Sequence, residues 1–171
     1  RQMCIRDSWN IEITEVKGKD TPATEGFDFY IFEHTVPKVL PKDGIIFLVN
    51  PDSSADAGFS IVRRNVQVTD YDGDGASLAI GDGEHPLVRY MDVEGIKVTQ
   101  YSQVDEASLE RYDVLMYYEG NPVFFARNEA DSKIAVMTFS LNMSTLALSV
   151  YYPILIYNMF CLLYTSPSPR D

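Results

Sequence analysis

Apolar and polar positions alternate along this chain in a way that predicts strands first and a helix last. Residues 27–33 (FDFYIFE) and 44–50 (GIIFLVN) are short, nearly continuous apolar runs bounded by Pro, Gly and Asp. Runs of that kind suit strands buried on both faces, the habit of a parallel sheet in an α/β domain. The ten residues between them hold Pro37 and Pro41. A crossover carrying a full helix needs more chain, so a single turn or a loop is predicted there. Residues 60–69 (SIVRRNVQVT) alternate as an exposed strand does, and 95–104 (GIKVTQYSQV) as a one-sided strand. Residues 70–84, rich in Gly and Asp, read as loop. Three more strands are predicted at 113–118, 122–128 and 133–140, joined by the turn residues Glu119-Gly120-Asn121 and 129–132 as a meander. The period then changes. Leu148, Tyr152, Leu155, Ile156 and Met159 fall on one helical face, with Pro153 near the start, where its missing N–H costs little.

Composition changes this picture at the two ends. The first eight residues, RQMCIRDS, and the last eleven, CLLYTSPSPRD, resemble translations of the paired adapters used in short-read sequencing libraries. Residues 1–8 and 161–171 are therefore set apart, leaving 9–160 as one partial domain. That segment carries 11 Lys/Arg against 23 Asp/Glu, a net charge of −12, and no cysteine, since Cys4 and Cys161 both lie in the flanks. Without cysteine there is no thiolate nucleophile and no thiolate metal site. The acidic balance argues against nucleic acid and anionic membrane surfaces as partners, because both are held by Lys and Arg. No apolar run inside 9–160 reaches the length of a bilayer span.

Two patterns carry candidate chemistry. Asp70, Asp72 and Asp74 in DYDGDG, with Gly75 next, match the opening of a calcium loop, where carboxylates at positions 1, 3 and 5 converge on a hard cation. Position 12 is Gly81 instead of a bidentate Glu, so an acidic turn between strands explains the same residues. Ser53 and Ser54 follow the apolar run 44–50, and with His85 they form the alternative of a serine hydrolase or amidohydrolase. Nucleophile elbows want small neighbours, whereas here the turn begins Asn50-Pro51. His34 follows the first apolar run, and His85 reads as a structural or capping residue. The carboxylate pairs Asp82/Glu84 and Asp105/Glu106 read as solvated faces of an acidic chain.

Four segments in order, YIFEHTVPKVLPKDGIIFLVNP (30–51), HPLVRYMDVEGIKV (85–98), GNPVFFARNEADSKIAVMTFSL (120–141) and YYPILIYNMF (151–160), resemble one family. It is the class I glutamine amidotransferase-like domain of bacterial membrane proteins that also carry a BatA-type membrane region and a von Willebrand factor type A domain. The resemblance implies a three-layer, flavodoxin-like α/β fold, its sheet largely parallel with antiparallel additions. It also implies a non-catalytic domain, since the Asn50-Pro51 turn stands where true amidotransferases place a cysteine. No catalytic residue carries over and the resemblance implies no cofactor; the calcium candidate rests on Asp70, Asp72 and Asp74 alone. The expected role is a structural or partner-binding domain of a membrane-anchored parent, extracytoplasmic, whose partner is another protein or another domain of the same chain. A calcium-stabilised extracytoplasmic binding module is the remaining alternative.

Overall fold

The computed structural model describes residues 12–16, 23–68, 77–129 and 132–165. Its centre is a six-stranded sheet built from β1 (Phe29–Glu33), β2 (Ile45–Val49), β4 (Leu78–Ile80), β6 (Asp113–Tyr118), β7 (Asn121–Glu129) and β8 (Ser132–Met137). The order across it is β1-β2-β8-β7-β6-β4. β1, β2 and β8 are parallel, with Phe29 beside Ile45 and Ile45 beside Lys133. β8, β7, β6 and β4 pair antiparallel, so four of the six strands point one way. This is a mixed α/β sheet. β3 (Ile61–Gln67) and β5 (Gln100–Val104) form a separate antiparallel pair.

The apolar runs explain the centre. All five residues of β2 are buried, as are six consecutive residues of β7, which is what strands covered on both faces require. Alternate side chains then build two cores. Ile45, Phe47, Val49, Ala135 and Met137 face one side, against Leu155 and Met159 of the helix α1 (Tyr151–Thr165) and Leu87, Val93 and Val98 of the segment before β5. Ile46, Leu48, Ile134 and Val136 face the other, against Val36 and Leu40 of the β1–β2 connection, Phe59, Leu109 and Tyr112. That connection is irregular, as its length and prolines predict.

The structure differs from the sequence reading in four places. β4 lies inside the stretch expected to be loop, pairing Leu78 with Tyr118. Its three residues are too few to show a period among Gly and Asp. The strand expected over 95–104 begins only at Gln100, and Val98 makes an isolated bridge to Ser144. Leu148 sits in a 3₁₀ turn before α1, 88 % exposed, off the helix's buried face. Finally, α1 continues past Phe160 to Thr165, with Leu162 packed in the core. Leu162 follows Met159 by three and Leu155 by seven, so it extends the same apolar stripe. No helix among the described residues is long and apolar enough to cross a membrane.

Candidate functional site

In open α/β sheets, ligands gather outside the carboxyl ends of parallel strands. Here β1 and β2 both end in a polar residue with a left-handed backbone, His34 at φ 63° and Asn50 at φ 43°. Each still completes the ladder: the His34 N–H donates to Val49 O at 2.9 Å and the Asn50 N–H to Met137 O at 2.7 Å. The chain then turns sharply, and the Asp52 N–H donates to His34 O at 2.6 Å, closing one turn on the other. His and Asn tolerate this region better than most residues, yet such backbone persists only where its surroundings hold it.

A chain of side chains does the holding. Ser102, delivered by β5, donates its hydroxyl to Asn50 Oδ1 at 3.4 Å. Asn50 Nδ2 faces His34 Nδ1 at 3.3 Å, and with Oδ1 taken by Ser102 the amide is the donor. His34 Nδ1 is then an acceptor, and its proton sits on Nε2, 4.0 Å from Glu33 Oε1. The same carboxylate oxygen accepts from Ser140 Oγ at 3.2 Å. Ser102, Thr138 and Ser140 are buried, and the Thr138 hydroxyl has no hydrogen-bond partner among the described residues. His34 and Glu33 keep 58 % and 48 % of their side chains exposed. The site therefore has a dry floor of hydroxyls and a wet rim of imidazole and carboxylate. Tyr152 of α1 stands beside it: burial pushes its phenol up from the ordinary value, and the Glu33 charge adds to that.

The residues expected from sequence fare differently. Ser53 and Ser54 follow the turn at the carboxyl end of β2, whereas His85 lies at the opposite end of the sheet. There it shares a small cavity with Ile45 and Lys133, the first residues described for β2 and next to first for β8. A five-residue strand spans about 16 Å, so the Ser53/Ser54–His85 pairing of the hydrolase alternative is not formed. His85 is structural: its Nδ1 accepts from the Leu87 N–H at 3.2 Å, and Nε2 lies 3.9 Å from Asp113. Burial lowers its affinity for a proton, against the opposing charges of Asp113 and Asp82. Asp82 and Asp105 each cap a turn, accepting from the Glu84 and Ala107 N–H groups. Asp70, Asp72 and Asp74 lie outside the described residues, and among the described residues no group of three or more metal-ligating side chains converges.

Sequence reasoning noted His34 and Asn50 singly but missed the cluster. Its members are brought together across 16, 52 and 107 residues of chain, beyond any local motif. One signal was available for part of it: His34, Asn50 and Ser140 are each the first or second polar residue after a strand of the parallel group, whereas Ser102 lies inside β5.

No family model matches the chain, and no curated protein matches it. Two solved structures share its fold. Cytoplasmic protein STM3548 from Salmonella typhimurium is 11 % identical, with a TM-score of 0.58 over 81 % of this chain and 71 % of its own. Cytoplasmic protein STM1381 from Salmonella typhimurium LT2 is 12 % identical, with a TM-score of 0.51 over 73 % of this chain and 56 % of its own. At this identity the likeness concerns the fold alone.

Proposed function

We propose that this is a non-catalytic, partner-binding domain with a three-layer amidotransferase-like fold, part of a membrane-anchored parent that carries a type A domain. One observation carries the reading. The left-handed turn that ends β2 holds Asn50, whose amide is engaged on both sides by Ser102 and His34. A strained strand-end turn is where nucleophile elbows present their hydroxyl or thiol. An amide there has no nucleophilic atom. It also occupies the lone pair of His34 Nδ1, which a general base needs free to accept a proton. Ser102, the nearest hydroxyl in the chain of bonds, spends its proton on Asn50 rather than on the imidazole.

The test is turnover of glutamine and of small activated esters by the whole chain, compared with His34→Ala and Ser102→Ala. All three proteins are expected to match the buffer rate. Turnover by the unaltered chain that disappears in either variant would refute the reading.

A further inference from the structure

The Asn50 side chain joins two groups in different surroundings. Ser102 is 1 % exposed, whereas the His34 side chain is 58 % exposed. The register brings the two ends to it: Glu33 pairs with Val49 across β1 and β2, so His34 and Asn50 are the next pair, one residue past each strand. The Asn50 backbone is held at φ 43°, with its N–H bonded to Met137 O. The amide can still rotate about its terminal torsion, which is broad and roughly two-fold. Half a turn exchanges Oδ1 and Nδ2 and moves no other heavy atom.

The two orientations suit two states of His34. While Nδ1 is unprotonated, Nδ2 faces it at 3.3 Å and Oδ1 accepts from Ser102 at 3.4 Å. A proton on Nδ1 makes that nitrogen a donor, and two donors would then oppose each other. The surroundings decide which side chain yields. Against His34 stand Glu33 of β1 and, in the turn after β2, Asn50 and Asp52. Behind these lie Ser102 of β5, Ser140 after β8 and Tyr152 of α1, so Glu33, Asp52 and Tyr152 are the titratable members of the group. Glu33 Oε1 lies 4.0 Å from His34 Nε2 and accepts from the buried Ser140 hydroxyl at 3.2 Å. A charged imidazole is therefore retained beside an anchored carboxylate, and the amide turns instead. Oδ1 then accepts from the charged Nδ1–H, a bond about twice as strong as a neutral one. Nδ2 donates to Ser102 Oγ, and the Ser102 hydroxyl loses its acceptor.

We propose that the Asn50 amide is a two-position switch, thrown by protonation of His34, that reverses the hydrogen bond at buried Ser102. A change of pH at the exposed rim of the site is thereby carried into its dry floor. The switch rests on the His34–Asn50 bond of the proposed function and adds its regulation: a partner docking on the rim meets a neutral ring in one state and an imidazolium over a reversed floor in the other.

The experiment is NMR of the whole chain, labelled with nitrogen-15 and carbon-13, between about pH 8 and 5, where imidazoles change charge. At the upper end the Asn50 Nδ2 protons should give their stronger nuclear Overhauser contact to the His34 ring, and at the lower end to the Ser102 β protons. His34→Gln, whose amide does not titrate, should abolish the change. Ser102→Ala removes the hydroxyl that loses its acceptor on reversal, so the midpoint of the His34 titration should rise by about 0.5 pH unit or more. A Ser102 that merely packs would leave that midpoint where it was. Amide contacts constant across the range, a midpoint unmoved in Ser102→Ala, or a change that survives in His34→Gln would each overturn the switch. A motionless amide together with no turnover removes the switch alone, whereas turnover dependent on His34 removes the function on which it rests.

Discussion

Replacing Asn50 separates the two things that residue does. Its backbone adopts a left-handed turn at φ 43°, and its amide bridges Ser102 and His34. Asn50→Gly removes the amide and relaxes the backbone; Asn50→Ala removes the amide and keeps the strain. The two hydrogen bonds are long, so each contributes at the low end of the usual range, about 0.5 kcal/mol. Ser102 is only 1 % exposed, and losing its acceptor strands a buried hydroxyl at roughly 1 kcal/mol or more. Asn50→Gly should thus lose about 1–2 kcal/mol. Asn50→Ala should lose roughly 1 kcal/mol more, the cost of a Cβ in the left-handed region. Urea unfolding of the whole chain measures both. With a slope of about 1–3 kcal/mol per molar, the Ala variant should shift the midpoint by about 1 M or more. Equal midpoints for Ala and Gly would show that the turn is not left-handed. A Gly variant as stable as the unaltered chain would show that the amide bridge contributes nothing.

Other expectations concern the frame around the site. Asn158 of α1 is buried and donates to Leu87 O and Arg89 O, both at 3.0 Å, tying the segment before β5 to the helix. Asn158→Leu strands both carbonyls, so a loss of about 2–4 kcal/mol is expected in urea unfolding, and less than about 0.5 would contradict the tie. Gly44 opens β2 at φ +67°, and a Cβ there would lie 2.6 Å from the carbonyl oxygens of Phe27 and Asp28. Gly44→Ala should cost about 2 kcal/mol or more, and a melting temperature within error of the parent would argue against the close approach. Burial lowers the proton affinity of His85 in the fold, so as pH falls the unfolded chain binds that proton first. Stability is therefore full above the ordinary value of 6.5 and declines as pH falls through the lower folded value. His85→Gln should flatten that slope. Asp43 titrates in a separate window: the Tyr30 hydroxyl, donating at 2.6 Å, and the Gly26 N–H hold its carboxyl below the ordinary 3.8, and that contribution is lost only in stronger acid.

How much of this was legible depended on the range of the interactions. β1 and β2 were readable because strands covered on both faces are apolar throughout. The β6–β7–β8 meander was readable because Glu119-Gly120 supplies its turn, with both residues at positive φ. β4 was hidden by its length. The placement of β8 beside β2 was not readable either, since the two strands pair across more than eighty residues of chain. The site inherits that difficulty. His34, Asn50 and Ser140 become neighbours only because β1, β2 and β8 lie side by side, and Ser102 joins them only because its N–H donates to Thr138 O at 2.8 Å. The charge and the missing cysteine were visible from composition, but composition does not reveal that an amide locks the imidazole.

Asn50 occupies the one free lone pair of His34. Nitrogen-15 NMR of the imidazole measures this directly, at a pH where His34 is neutral. The proton is expected on Nε2, with an unprotonated, hydrogen-bonded Nδ1 whose shift moves in Asn50→Gly. A proton on Nδ1, with the Nε2 lone pair open to solvent and unaffected by Asn50→Gly, would contradict it.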